Sequence, residues 1–209
     1  MLFDIDRGEL AGLFGEARFA TLPATAFPPS AADTEGARLL RTVGVPTGTL
    51  WVREPDEDSG RLPRVRDVVH IEDFDGACDD ASEGVGEWPV IGWLLNAHLA
   101  LDPRSGKVHA FDADEATVRE LHGDVSSLIH VTVRFQRLLE EFTFSGDSGD
   151  EEAGFERLGG EVERVRRETS GVDPLPFQDD ETVWSVIGEE IAAGLRFEGG
   201  SPGARSLYG

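Results

Sequence analysis

The chain has 209 residues, roughly the length of one large domain, and 39% of them are hydrophobic, 12 being phenylalanine, which excludes wholesale disorder. Its 41 Asp and Glu against 19 Lys and Arg give a net charge of −22, a surface that repels phosphates, disfavours direct nucleic-acid binding and anionic membranes, and attracts a basic partner or a cation. One cysteine, Cys78, rules out an intrachain disulfide framework and a cysteine-rich zinc site. The acidic start Met1-Leu2-Phe3-Asp4 has neither the basic region nor the apolar core of a signal peptide. The longest apolar stretch, Val90 to Leu101, is too short to span a bilayer, so the sequence predicts a cytoplasmic protein.

Residues 1–33 are expected to form an N-terminal adaptor segment of a single domain that fills residues 34–209. Leu10, Leu13 and Phe14 suit a short helix, and a proline-broken extended stretch runs from Leu22 to Pro29. A second helix has Asp33 or Thr34 as N-cap, Leu39, Leu40 and Val43 as its apolar stripe, and Gly44 and Pro46 as its stop. Strands are predicted over 49–52, 64–71, 88–95, 98–101 and 107–111, with Gly106 supplying the positive φ of the turn before the last. Acidic loops, Glu54 to Gly60 and Glu72 to Glu87, lie among them. The clearest helix opens at Ser126 or Ser127, where Leu128, Val131, Phe135, Leu138 and Phe142 recur at spacings of three and four. Another carries Phe155, Leu158, Val162 and Val165, weakened by Gly159-Gly160. The last, capped by Asp179 or Asp180, presents Trp184, Ile187 and Ile191 and ends near Gly194. Strands in the middle with helices at both chain ends predict an α+β fold with a central, antiparallel-rich mixed β-sheet.

Each catalytic or metal pattern tested fails at a residue its chemistry needs. A calcium loop started at Asp73 places Ala77 and Cys78 at the fifth and sixth positions and Gly84 at the twelfth. Gly146-Asp147-Ser148-Gly149 is followed by Asp150-Glu151-Glu152, an acidic run that opposes an oxyanion, so it reads as a linker. The five histidines show no metal spacing, although His98 and His109 are expected to face each other across a hairpin. No phosphate loop, dinucleotide fingerprint or nucleophile elbow is present. No enzyme activity, cofactor or metal is therefore expected.

An ordered set of short segments carries a resemblance. Arg38-Leu39-Leu40-Arg41-Thr42-Val43-Gly44-Val45-Pro46 resembles the helix-and-stop of the SUKH superfamily, the Smi/Knr-type regulators and bacterial immunity proteins. Ile91-Gly92, Leu99-Ala100-Leu101-Asp102 and Ser105-Gly106-Lys107-Val108 are similar to its paired strands and hairpin. Val125-Ser126-Ser127-Leu128 resembles the start of its amphipathic helix, with Val125 where asparagine is usual, and Val183-Trp184 to Ile191 its C-terminal tryptophan helix. The chain most resembles the fourth subgroup. That resemblance implies a cytosolic protein that binds and neutralises a polymorphic toxin, commonly a nuclease or nucleic-acid deaminase, and it brings no catalytic residues. A Smi/Knr-like regulatory scaffold and a carboxylate-based hydrolase are the alternatives. The partner expected is a basic protein, met by Glu72, Asp73, Asp75, Asp79, Asp80, Glu83 and Glu87, a run without a compensating base, with Trp88 exposed beside them as an apolar anchor.

Overall fold

The computed structural model describes the whole chain except residues 49–50, 53–55, 58, 71–73, 75–83, 145–150 and 209. The chain forms two compact units, Met1–His130 and Val131–Gly209.

In the first unit, Asp6 caps α1 (Arg7–Phe14) by accepting a hydrogen bond from the Glu9 amide at 2.8 Å. Thr34, one of the two expected caps, starts α2 (Glu35–Thr42) by accepting from the Ala37 amide at 3.2 Å. Around α2 the chain forms a short antiparallel pair, β1 (Phe19–Ala20) with β2 (Val45–Pro46). Gly44 ends α2 at φ +78°, and a Cβ there would lie 2.5 Å from the Ala20 carbonyl oxygen. Only glycine allows both the turn and this close approach.

The second sheet is a five-stranded meander: β3 (Trp51–Val52), β4 (Val90–Leu94), β5 (Ala97–Leu101), β6 (Val108–Asp112) and β7 (Thr117–His122), adjacent in that order. Every pairing among the described residues is antiparallel, so the sheet is not mixed. Gly106 stands at φ +79° in the β5–β6 turn, as expected, and its amide donates to the Asp102 carbonyl at 2.9 Å. The β6–β7 turn is held by the Asp112 carboxylate, which accepts from the Asp114 and Glu115 amides at 2.9 and 3.1 Å. Strand β7 lies outside the strands expected from sequence.

The strand expected over 64–71 is instead a single helical turn, α3 (Val65–Val68). The Asp67 carboxylate accepts from the Arg64 amide at 2.9 Å and so caps the turn, while Val65 and Val69, four apart, are both buried. They join Phe74, Val85, Trp88, Val90, Ala100 and Phe111 in one apolar cluster.

The boundary between the units falls inside α4 (Val125–Glu141), which Asp124 caps through the Ser127 amide at 3.0 Å. In the second unit Phe135 is 0% exposed and packs on Phe177 and Trp184, with ring centroids 6.1 and 5.6 Å apart. Helix α5 (Glu151–Ser170) runs unbroken through Gly159-Gly160 and buries Leu158, Val162 and Val165. The cap of α6 (Val183–Ala192) is Thr182, which accepts from the Ser185 amide at 3.2 Å, rather than Asp179 or Asp180. Trp184, Ile187 and Ile191 are fully buried, and Gly194 follows at φ +76°. An unexpected last helix, α7 (Pro202–Tyr208), brings the backbone of Gly203 against the Phe197 ring. Its Ser206 hydroxyl accepts from the Phe144 amide at 3.0 Å.

Candidate functional site

Of the residues expected to meet a partner, Glu72, Asp73, Asp75, Asp79, Asp80 and Glu83 lie outside the described residues. The structure does describe the base from which that stretch departs and to which it returns. Val65 N donates to the Trp88 carbonyl at 3.0 Å, Val90 N donates to the Pro63 carbonyl at 2.9 Å, and Arg64 forms an isolated antiparallel bridge with Pro89. Residues 63–65 and 88–90 are thus tied backbone to backbone.

Side chains reinforce the same junction. Arg64 donates to both Asp67 oxygens, at 2.9 Å from Nε and 3.2 Å from Nη2, and to Glu87 at 3.2 Å from Nη1. Arg66 pairs with Glu87 as well and lies 4.0 Å from Asp67. The hydrogen bond from Arg64 holds the Asp67 carboxyl below the usual carboxylate range, against the opposing effect of desolvation. The same bond raises the Arg64 pKa. Two guanidinium groups and two carboxylates therefore cancel. Glu87, expected to stand without a compensating base, has two, and its charge is held within the fold.

Trp88 is corrected more sharply. It is 5% exposed, not an exposed anchor, and its ring packs against Phe111 and lies 4.7 Å, centroid to centroid, from the His109 imidazole. The reason is strand geometry: Trp88 and Val90 are two residues apart, face the same side, and both enter the apolar cluster. The sequence reading also missed Phe74. It is buried edge-to-face against Phe111 at 5.9 Å, although acidic residues flank it in the chain. A lone phenylalanine between two aspartates was the available signal.

Above Trp88 opens a groove of about 940 Å³. Its walls come from Pro28 and Pro29, the turn at Asp56–Leu62, the Arg64 junction, and Pro103 with Arg104 in the β5–β6 turn. Loops converging on one rigid sheet end are where binding sites are commonly built.

The histidines fall elsewhere. Register sets His98 opposite Phe111 and His109 opposite Ala100, so the expected direct facing of His98 and His109 does not occur. Burial pushes the His109 imidazole down, the Glu120 and Asp102 charges opposing it and Lys107 adding to it. His122 is wholly buried, bonded through Nδ1 to the Ser127 hydroxyl at 2.9 Å, and its pKa is lowered to about 3, first by desolvation and then by His130. Among the described residues, no helix is long and apolar enough to cross a membrane.

An antiparallel meander with a firmly tied loop base, carried with helices on one chain, defines an α+β protein. The family model described as SUKH-4 immunity protein matches residues 5–190, and the chain belongs to that family. No curated protein and no solved structure matches it.

Proposed function

We infer that this chain neutralises a cognate polymorphic toxin, a nuclease or nucleic-acid deaminase, by covering the toxin's basic substrate-binding surface with an acidic one. Membership of an immunity family supports toxin binding. The observation that carries the finer reading is charge distribution: residues 54–87 hold 12 Asp and Glu against 3 Arg, within a chain of net charge −22. A toxin acting on nucleic acid needs a positive surface for its substrate, and an acidic inhibitor competes for that surface and associates fast. The role is binding rather than catalysis, exercised in the cytoplasm of the producing cell. Residues 34–209 act as one binding domain, with 1–33 as its N-terminal part.

The test is a rate measurement against the toxin domain encoded beside this chain's gene. Replacing Asp73, Asp75, Asp79 and Asp80 with Asn is expected to slow association and flatten its salt dependence, with thermal stability equal or higher. An unchanged association rate across salt concentrations refutes the acidic-loop interface.

A further inference from the structure

We propose that the α4–α5 face of the second unit is an interface between two copies of this chain, meeting about a two-fold axis that passes close to Gly160. The inference goes beyond the toxin-binding reading and holds or fails independently of it. Three observations carry it.

The face is open and partly apolar. Between α4 and α5 lies a groove of about 650 Å³, whose lining includes Leu138, Phe142, Val165 and Gly160. The fold fully buries Leu128, Val131 and Phe135 of the α4 apolar repeat but leaves its last two members, Leu138 and Phe142, half-buried at this groove. The apolar stripe thus continues past what the chain itself covers. Gly159 and Gly160 sit inside an unbroken helix, where glycine is weaker than alanine, and a Cβ at either position would meet nothing within 4 Å. Packing within the chain therefore does not ask for them. A bare, exposed backbone at Gly160 instead lets a facing helix approach closely.

The charge is self-complementary. A two-fold contact sets one patch against its own copy, so the charges of that patch must be matched within it. Along this face Arg134 pairs with Glu168 across the two helices, Arg137 with Glu141 at 2.8 Å, and Arg164 with Glu161. The Arg157 guanidinium lies 5.6 Å from the centre of the Phe142 ring. Four guanidinium groups thus stand among three carboxylates, in a chain of net charge −22. Such a chain repels its own copy over most of its surface, and a balanced face is where two copies can touch without that repulsion.

The area suits a reversible dimer. The 20 residues of α5 span about 30 Å, and two adjacent helices are about 20 Å wide. Such a face offers roughly 500–600 Å² per copy, about 1,000–1,200 Å² in total, the lower end of specific interfaces. The dimer is accordingly expected to dissociate at about 10–100 μM.

The test is sedimentation equilibrium of the full chain from about 1 μM to about 1 mM. The mass is expected to double across that range, and the dimer to tighten as salt rises from about 0.05 to about 0.5 M, because salt screens the repulsion between the two acidic chains. Gly160→Gln places a long, helix-favouring side chain at the groove. It is expected to melt no lower than the parent, yet to dimerise at least tenfold more weakly. Glu163→Gln, on α5 but outside the groove, should dimerise as the parent does. A parent chain that stays monomeric throughout, a dimer that weakens as salt rises, or parental dimerisation by a folded Gly160→Gln overturns the proposal. Should Gly160→Gln melt lower than the parent, Gly160→Cys in a Cys78→Ser chain decides. Faster formation of a disulfide-linked dimer than with Glu163→Cys supports the interface, and equal rates overturn it.

Discussion

Acid should unfold the first unit through one buried imidazole. His122 is neutral in the fold because its burial lowers its pKa to about 3, with His130 nearby adding to the effect. In the unfolded chain the same group has an ordinary histidine pKa, about 6.5. Below that value the unfolded state takes up a proton that the folded state refuses. Stability is therefore complete above pH 6.5 and is lost as pH falls from 6.5 toward 3, by up to about 1.4 kcal/mol per pH unit. At pH 4.5 the loss is about 3 kcal/mol, a large share of the roughly 5–15 kcal/mol that holds a typical domain together. His109, also depressed by burial, acts with the same sign. The assay is urea unfolding of the parent and of His122→Asn between pH 7.5 and about 5.5, above the range where most carboxylates protonate. An asparagine oxygen or nitrogen can replace Nδ1 in the bond to Ser127, while the lost ring lowers stability equally at every pH. The variant should start less stable and show a shallower slope. Parallel slopes for the two proteins, or an imidazole of His122 that titrates above pH 5.5 in the folded chain, refute the reasoning.

Phe135→Ala should cost about 3–5 kcal/mol, since the ring is fully buried against Phe177 and Trp184, and chemical denaturation measures it. Gly44→Ala should lower the melting temperature by several degrees, with a cost of at least about 1 kcal/mol, because its φ of +78° and the Ala20 carbonyl 2.5 Å from the new Cβ both resist the methyl. Phe74→Ala should destabilise the first unit by about 3 kcal/mol or more and raise amide exchange at Val85 and Trp88, its neighbours in the apolar cluster. Unchanged exchange at those amides would show that Phe74 does not hold the cluster together.

The helices were legible wherever apolar residues recurred with a 3.6-residue period. Leu128 and Val131 in α4, Leu158, Val162 and Val165 in α5, and Trp184, Ile187 and Ile191 in α6 are all buried. What the sequence hid was decided by partners remote in the chain. Strand β7 reads Thr-Val-Arg-Glu-Leu-His, with charges at its centre, and is a strand because β6 offers it an edge. Helix α7 has no periodic stripe and is placed by the close contact between Gly203 and Phe197. The 64–71 stretch failed for a local reason. Its β-branched residues suit a strand, yet one carboxylate at Asp67, able to cap the Arg64 amide, tips four residues into a helical turn.

The acidic stretch was legible as charge but not as structure, and the difference bears on how it can act. Sequence alone counts Glu87 with the negative run that starts at Glu72, although Arg64 and Arg66 pair with it, and with Asp67, at the junction where residues 63–65 and 88–90 are tied. Charges paired at less than about 4 Å largely cancel beyond roughly one Debye length, about 10 Å at 0.1 M salt, so they hold the junction and contribute little to steering. Trp88 and Phe74, which a composition reading assigns to an interface or to a solvated loop, anchor the same region in the core. In the proposed complex, long-range attraction of a basic toxin comes from the other acidic residues of 54–87. Attraction of that kind acts on rate more than on the lifetime of a complex. Neutralising those acids should act mainly on association and its salt dependence, and leave the lifetime of the complex close to that of the parent.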